Sequence, residues 1–261
     1  MEHHAFLTRL VLLGTLVILA AVPAGAVISD GENAETLLGQ LDDSDTPVWT
    51  TAVPNYRPSA QGFNIPHDIA VDTATHRLFV ADFNNNRVLE FDLDSSNNLV
   101  DHTADHVLGQ SNFTGFQPRI TGDGMYNPVG LAFDPVNNRL FVAELSNRRV
   151  IVFNATTLTD GQNADYVWGQ PNFTSMLGGG TARNQIYYPN KIRYDFTTNR
   201  LYVPDTNQHR VVVYDATPGT LTNGQNASVV IGQQNFTSAV AAATINGLIS
   251  PGGVVIDTAS Q

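Results

Sequence analysis

His67 and Asp68 stand side by side after a proline, a neutral imidazole next to a carboxylate, and such a pair can ligate Zn²⁺ or Ca²⁺ or carry out acid–base work. A metal site needs three convergent ligands, so the same pair also fits a hydrogen-bonded turn. Lys191, the only lysine in the chain, follows Asn190 at a corresponding place after a later proline and suits an anionic group. The acidic residues Asp82, Glu144 and Asp205 each precede an arginine by five residues, at Arg87, Arg149 and Arg210. That spacing across a hairpin points to an ion pair in each copy and not to a ring of metal ligands. Asp72, Asp134, Asp195 and Asp257 read as turn openers, and His209 as a solvated hairpin side chain.

The elements that must position these residues repeat. Pro66-His67-Asp68-Ile69-Ala70-Val71-Asp72 is matched by Pro128-Val129-Gly130-Leu131-Ala132-Phe133-Asp134, then by a copy from Pro189 to Asp195, and a fourth opens at Pro251. The four prolines are 62, 61 and 62 residues apart, a fixed period that marks a repeat architecture. Each copy holds four short apolar stretches. The second, as in Leu78-Phe79-Val80-Ala81, does not alternate and suits a strand covered on both faces. Asp- and Asn-rich segments between stretches supply tight turns, and four antiparallel strands per unit describe a β-propeller blade. The scaffold positions repeat while the pairs after proline do not: His67-Asp68, Val129-Gly130, Asn190-Lys191, Gly252-Gly253. In this topology the hairpins following Asp82, Glu144 and Asp205 share one end with the inner-strand starts and with the long loops 111 to 126, 171 to 187 and 234 to 249. Long ordered loops are often functional, which makes this the candidate binding face. Tyr126, Tyr187, Tyr188 and Phe116 lie on or beside those loops as contact residues, with His67, Asp68, Asn190 and Lys191 at the channel mouth.

The pattern Pro-x-x-Ile/Leu-Ala-x-Asp, then Arg-Leu-Phe-Val-Ala-Asp, then Asn-x-Arg-Val resembles the NHL repeat over about residues 63 to 257. The resemblance implies an all-β propeller of four-stranded blades, six in the intact protein, of which this chain holds three complete blades and the first strand of a fourth. The expected blades run from about 63 to 125, 126 to 186 and 187 to 247, with the next from 248 and the chain truncated after it. The strand at 35–40, Glu35-Thr36-Leu37-Leu38-Gly39-Gln40, repeats the fourth stretch and reads as the ring-closing strand within an N-terminal segment, 27–62. Functionally the resemblance implies scaffolds, binding modules and a few lyases. NHL-type lyases hold a divalent metal in the central channel through histidines of several blades; of these positions only His67 carries one here.

Outside the repeats, Arg9 precedes an apolar run of 13 residues, Leu10 to Val22, and Ala24-Gly25-Ala26 has the form of a signal-peptidase site, so 1–26 reads as a signal peptide cleaved before Val27. The run is shorter than the roughly 20 residues of a bilayer span, and no stable membrane span is expected after its removal. The chain has no cysteine, so its stability must come from burial, and its formal charge of -11 argues against nucleic acid. The motif Gln-x-Asn-Phe-Thr, at Asn112, Asn172 and Asn235, fits a glycosylation sequon and equally a structural corner; Gly178-Gly179-Gly180 reads as loop flexibility. The expectation is an exported module, secreted, periplasmic or in the cell envelope, that contacts a protein, peptide or carbohydrate through its loops and channel mouth. Self-association of the open-ended array is a further expectation, and the alternative is a Ca²⁺- or Zn²⁺-dependent lyase or hydrolase.

Overall fold

The computed structural model describes residues 8–13 and 16–21 as backbone, and residues 34, 36–41, 46–49 and 58–257 with side chains. Three four-stranded antiparallel sheets follow one another: β4 (Pro66–Asp72), β5 (Arg77–Asp82), β6 (Arg87–Asp92) and β7 (His106–Leu108); β8 (Pro128–Asp134), β9 (Arg139–Glu144), β10 (Arg149–Asn154) and β11 (Tyr166–Trp168); β12 (Arg193–Asp195), β13 (Arg200–Asp205), β14 (Arg210–Asp215) and β15 (Val229–Ile231). Each is a meander in sequence order. The two runs without alternation, β5 and β9, are buried along nearly their whole length, because each lies in mid-sheet between two packed layers.

The sheets stack face to face. Phe79 and Val88 of the first blade pack with Leu140, Val142, Ile151 and Phe153 of the second. Phe141, Val150 and Trp168 of the second pack with Leu201, Val203, Val212 and Tyr214 of the third. The innermost strands β4, β8 and β12 lie side by side. A second lock joins consecutive blades: Gly39, Gly109, Gly169 and Gly232, all at φ between +83° and +87°, sit against Phe63, Met125, Ile186 and Leu248. A Cβ there would meet those side chains at 2.4–2.8 Å, so the repeated glycine is required twice over, by backbone and by space.

Two segments depart from the repeat pattern. Residues 251–257, expected to start a fourth blade, form no strand, because among the described residues no neighbouring strand takes up their N–H and C=O groups. The segment expected to close a ring, β3 (Thr36–Leu38), is a strand, but it pairs with β2 (Leu16–Ala21), which pairs with β1 (Thr8–Leu13). Leu38 still packs on the free face of the first blade beside Phe63, Leu78 and Leu89. The expected signal-cleavage point before Val27 lies outside the described residues. Finally, β12 is shorter than β4 and β8. Pro204 stands in β13 where the other blades have Ala81 and Ala143; its carbonyl accepts the Asn190 N–H at 3.1 Å, but it has no N–H to return, and the inner strand loosens around Lys191. No helix among the described residues is long and apolar enough to cross a membrane.

Candidate functional site at the inner-strand rim

The hairpin end of each blade is built first by its buried ion pair. Arg87 Nε donates to Asp82 at 2.8 Å, Arg149 to Glu144, and Arg210 to Asp205 at 3.0 Å, all with fully buried side chains. The remaining guanidinium N–H groups tie down loop carbonyls at equivalent places: Phe113, Ser59 and Gly62 for Arg87; Phe173, Thr121 and Gly124 for Arg149; Phe236, Thr181 and Gln185 for Arg210. The Asn-Phe-Thr corners are Asx turns, in which Asn112, Asn172 and Asn235 accept the N–H of the threonine two residues on. The inter-blade loops are thus ordered and share the end with the hairpins. Asp72, Asp134 and Asp195 accept turn N–H groups at the opposite end, as turn openers do. His209 departs from its expected role as a solvated side chain: it adopts φ +52° and its Nδ1 accepts the Ser250 N–H at 3.1 Å, as Asn86 Oδ1 accepts that of Asn127 at 2.9 Å. Gly178-Gly179-Gly180 is a tight turn and not a flexible spacer, since a Cβ on Gly179 would overlap the Tyr187 ring.

On that scaffold the rim brings together residues from the first and third blades across the second. Asp68, buried after an irregularity in the β4–β5 register, accepts the Leu131 N–H at 3.0 Å from β8. Gly130 leaves the room: a Cβ there would lie 2.5 Å from the Asn190 carbonyl. Across this gap Arg193 approaches Asp68 at 3.4 Å with a side chain still 40% exposed. His67 packs its ring 4.5 Å from Phe83. Burial and the charge of Lys191 hold His67 below the usual imidazole range, against the pull of Asp68. Burial pushes Asp68 up, opposed by the Leu131 N–H and by Arg193 and Lys191. The ammonium of Lys191 forms no salt bridge among the described residues. Asn190 is half-buried, its Oδ1 accepting the Lys191 N–H at 2.9 Å.

The rim therefore gathers His67, Asp68, Asn190 and Lys191, and adds Arg193, which takes the place of Ala70 and Ala132 in the other blades. Among the described residues no third metal-ligating side chain joins His67 and Asp68, and two cations stand beside them instead. Such a set is suited to an anion. Of the aromatic residues, Tyr126 and Tyr188 are exposed while Tyr187 lies under the Arg148 guanidinium at 4.8 Å. Phe116 is exposed on the adjoining loop.

Consecutive four-stranded meanders packed through their innermost strands define the blades of a β-propeller. Within the first of them, residues 63–91 match the NHL repeat family. NHL repeat-containing protein 2 of Bos taurus is 26% identical over 167 residues, which cover 62% of this chain and 22% of the bovine protein. The chain thus spans about a fifth of that relative's length. Among solved structures, the nidogen/laminin complex contains a chain 16% identical, with a TM-score of 0.46 over 75% of this chain and 54% of that one. Hydrazine synthase of Kuenenia stuttgartiensis (13%, TM-score 0.42, 69% and 38%) and the RRP9 WD40 repeats (12%, TM-score 0.42, 66% and 44%) are similar at the same level.

Proposed function

We propose that the chain is part of an exported β-propeller interaction module whose inner-strand rim receives an acidic group of a protein or peptide partner. The observation that carries this reading is the convergence of Lys191, Arg193 and His67 at the rim positions that differ from blade to blade, on a scaffold whose other positions repeat. Burial of Asp68 and its bond to the Leu131 N–H anchor the set, and Lys191 is free to pair with a carboxylate. Tyr126, Tyr188 and Phe116 offer contact area around it, as aromatic residues do at interfaces. The overall charge of -11 disfavours broadly acidic partners, so recognition is of a single acidic group in a mixed surface. Export rests on the apolar run and the Ala24-Gly25-Ala26 site, and a six-bladed intact ring on the likeness of the repeats.

The test is selection of a random peptide library on the immobilised chain and on a Lys191→Ala, Arg193→Ala variant. Enrichment of peptides sharing one Asp or Glu position on the wild type, at least about tenfold weaker on the variant, is the expected result, since a charge-assisted bond contributes roughly 1.5–3 kcal/mol. Equal enrichment on both proteins removes the rim from the reading, and binding confined to a glycan array run in parallel replaces peptide with carbohydrate.

A further inference from the structure

At the outer part of the first blade, away from the rim, three carboxylates meet where each of the other two blades has one. Glu90 lies in β6 where the other blades have Val152 and Val213. Strand alternation puts it on the same face as Val88, which is packed into the core between the first and second blades. Its residue is 1% exposed, and among the described residues neither carboxylate oxygen has a hydrogen-bond partner. Asp92 and Asp105 set two further carboxylates beside it. Arg77 does not relieve it, because its guanidinium is spent on Asp72, Thr75 and the Ala155 carbonyl. A buried acid with no donor, in a position that two sister blades fill with valine, is destabilising unless something binds it.

We infer that Glu90, Asp92 and Asp105 form a site for a hard divalent cation of the Ca²⁺ class. One carboxylate oxygen from each lies within 4.8 Å of the other two, the spread that a single ion with ligands at about 2.3–2.6 Å can span. The donor set is oxygen only, which excludes the nitrogen and sulfur preference of structural zinc. Asp105 is held in place by the fold, its Oδ2 accepting the Asp92 N–H at 2.8 Å as Asp165 accepts that of Asn154 at 2.7 Å. What is peculiar to the first blade is the full set of three acids: the second has Val152, Asn154 and Asp165, and the third Val213, Asp215 and Ser228. Asp92 and Asp105 border an open cavity of about 340 Å³, together with Thr75, His76, Leu93, Val100 and Asp101, through which an ion and its remaining water ligands can enter. The cation takes up the charge of Glu90 at the seam between the first two blades and pins the outer strands there.

The experiment is calorimetric titration of the chelator-treated full chain with CaCl₂, alongside its thermal melt. Saturable binding of one ion with an apparent Kd of about 0.1–1 mM, and a Tm that rises with it, is expected. The Glu90→Val variant installs the sister blades' residue, so it is expected to fold, to melt higher than the wild type in chelator, and to lose the calcium-dependent rise. Asp92→Asn should weaken the apparent Kd by at least about tenfold, because affinity follows the number of charged ligands. No saturable binding by the wild type, or binding of undiminished affinity in Glu90→Val, overturns the assignment; the latter would show only diffuse attraction to an acidic surface.

Discussion

Each of the first two blades carries the same spacing, an acid followed five residues later by arginine, at both of its ends, and the two ends differ in what surrounds the pair. At the hairpin end the pair is wholly buried; burial pushes Asp82, Glu144 and Asp205 up and outweighs the paired arginine and the backbone N–H bonds. At the opposite end burial also pushes Asp72 and Asp134 up, but bonds from Thr75 or Asn137, from the arginine and from turn N–H groups together hold both below the usual range. The consequences for stability have opposite sign. The depressed carboxyls contribute stability above the ordinary carboxylate value that is lost as pH falls through their folded values. The raised ones contribute stability below that ordinary value that is lost as pH rises through theirs. One spacing therefore serves two tasks: the buried pair holds loops, and the other finishes a turn and reaches across to the next blade, where Arg77 donates to the Ala155 carbonyl and Arg139 to that of Ala216.

The largest effect expected from breaking this contrast is at Arg149. Arg149→Met leaves Glu144 buried without its partner and the carbonyls of Phe173, Thr121 and Gly124 without a donor, and should cost about 3–5 kcal/mol in urea unfolding. A cost below about 1 kcal/mol would mean the two ends are energetically alike. Asp134→Asn should be milder, about 1.5–3 kcal/mol, since it removes the charge-assisted bonds to Arg139 but keeps the turn. Melts recorded as pH is lowered below the ordinary carboxylate range should show a flatter acid limb for this variant than for the wild type; an unchanged limb would deny the depressed pKa its role. The smallest effect is a gain. Ile65, a β-branched residue before the repeated proline, sits at φ +58°, where the second blade has Asn127 at +53°. Ile65→Asn should stabilise the hairpin end by about 1 kcal/mol, read as a raised Tm.

Much of the architecture could be read from the chain because the repeat wrote each element three times. Pro66 and Pro128 begin the inner strands β4 and β8 while Pro189 makes only an isolated bridge ahead of β12, and the unbroken apolar runs of β5 and β9 announce strands covered on both faces. The rim was legible only in part. His67, Asp68 and Lys191 stood out as unrepeated, but Arg193 did not, because its partnership with Asp68 crosses two blades and depends on the side chain that Gly130 lacks. An arginine two residues after Lys191, in the place of Ala70 and Ala132, was the available signal. Glu90 was hidden in the same way, as one acid in a column of valines. The short β12 followed from Pro204, whose missing N–H matters only once the pairing is known. His209 read as solvated because its contact with Ser250 spans 41 residues and closes through a left-handed turn.

The glycine lock between blades has a consequence for how such a surface diversifies. Each blade meets the next through a small fixed set of contacts, Gly109 against Met125 and Gly169 against Ile186, and these lie apart from the residues that follow the repeated proline. Coupling through these joints is then confined to nearest neighbours, as in other linear arrays. A substitution at a joint is felt by its own blade and the adjoining one, whereas the rim links the first and third blades directly through Asp68 and Arg193. New specificities can accumulate at the rim with the joints between blades left unaltered.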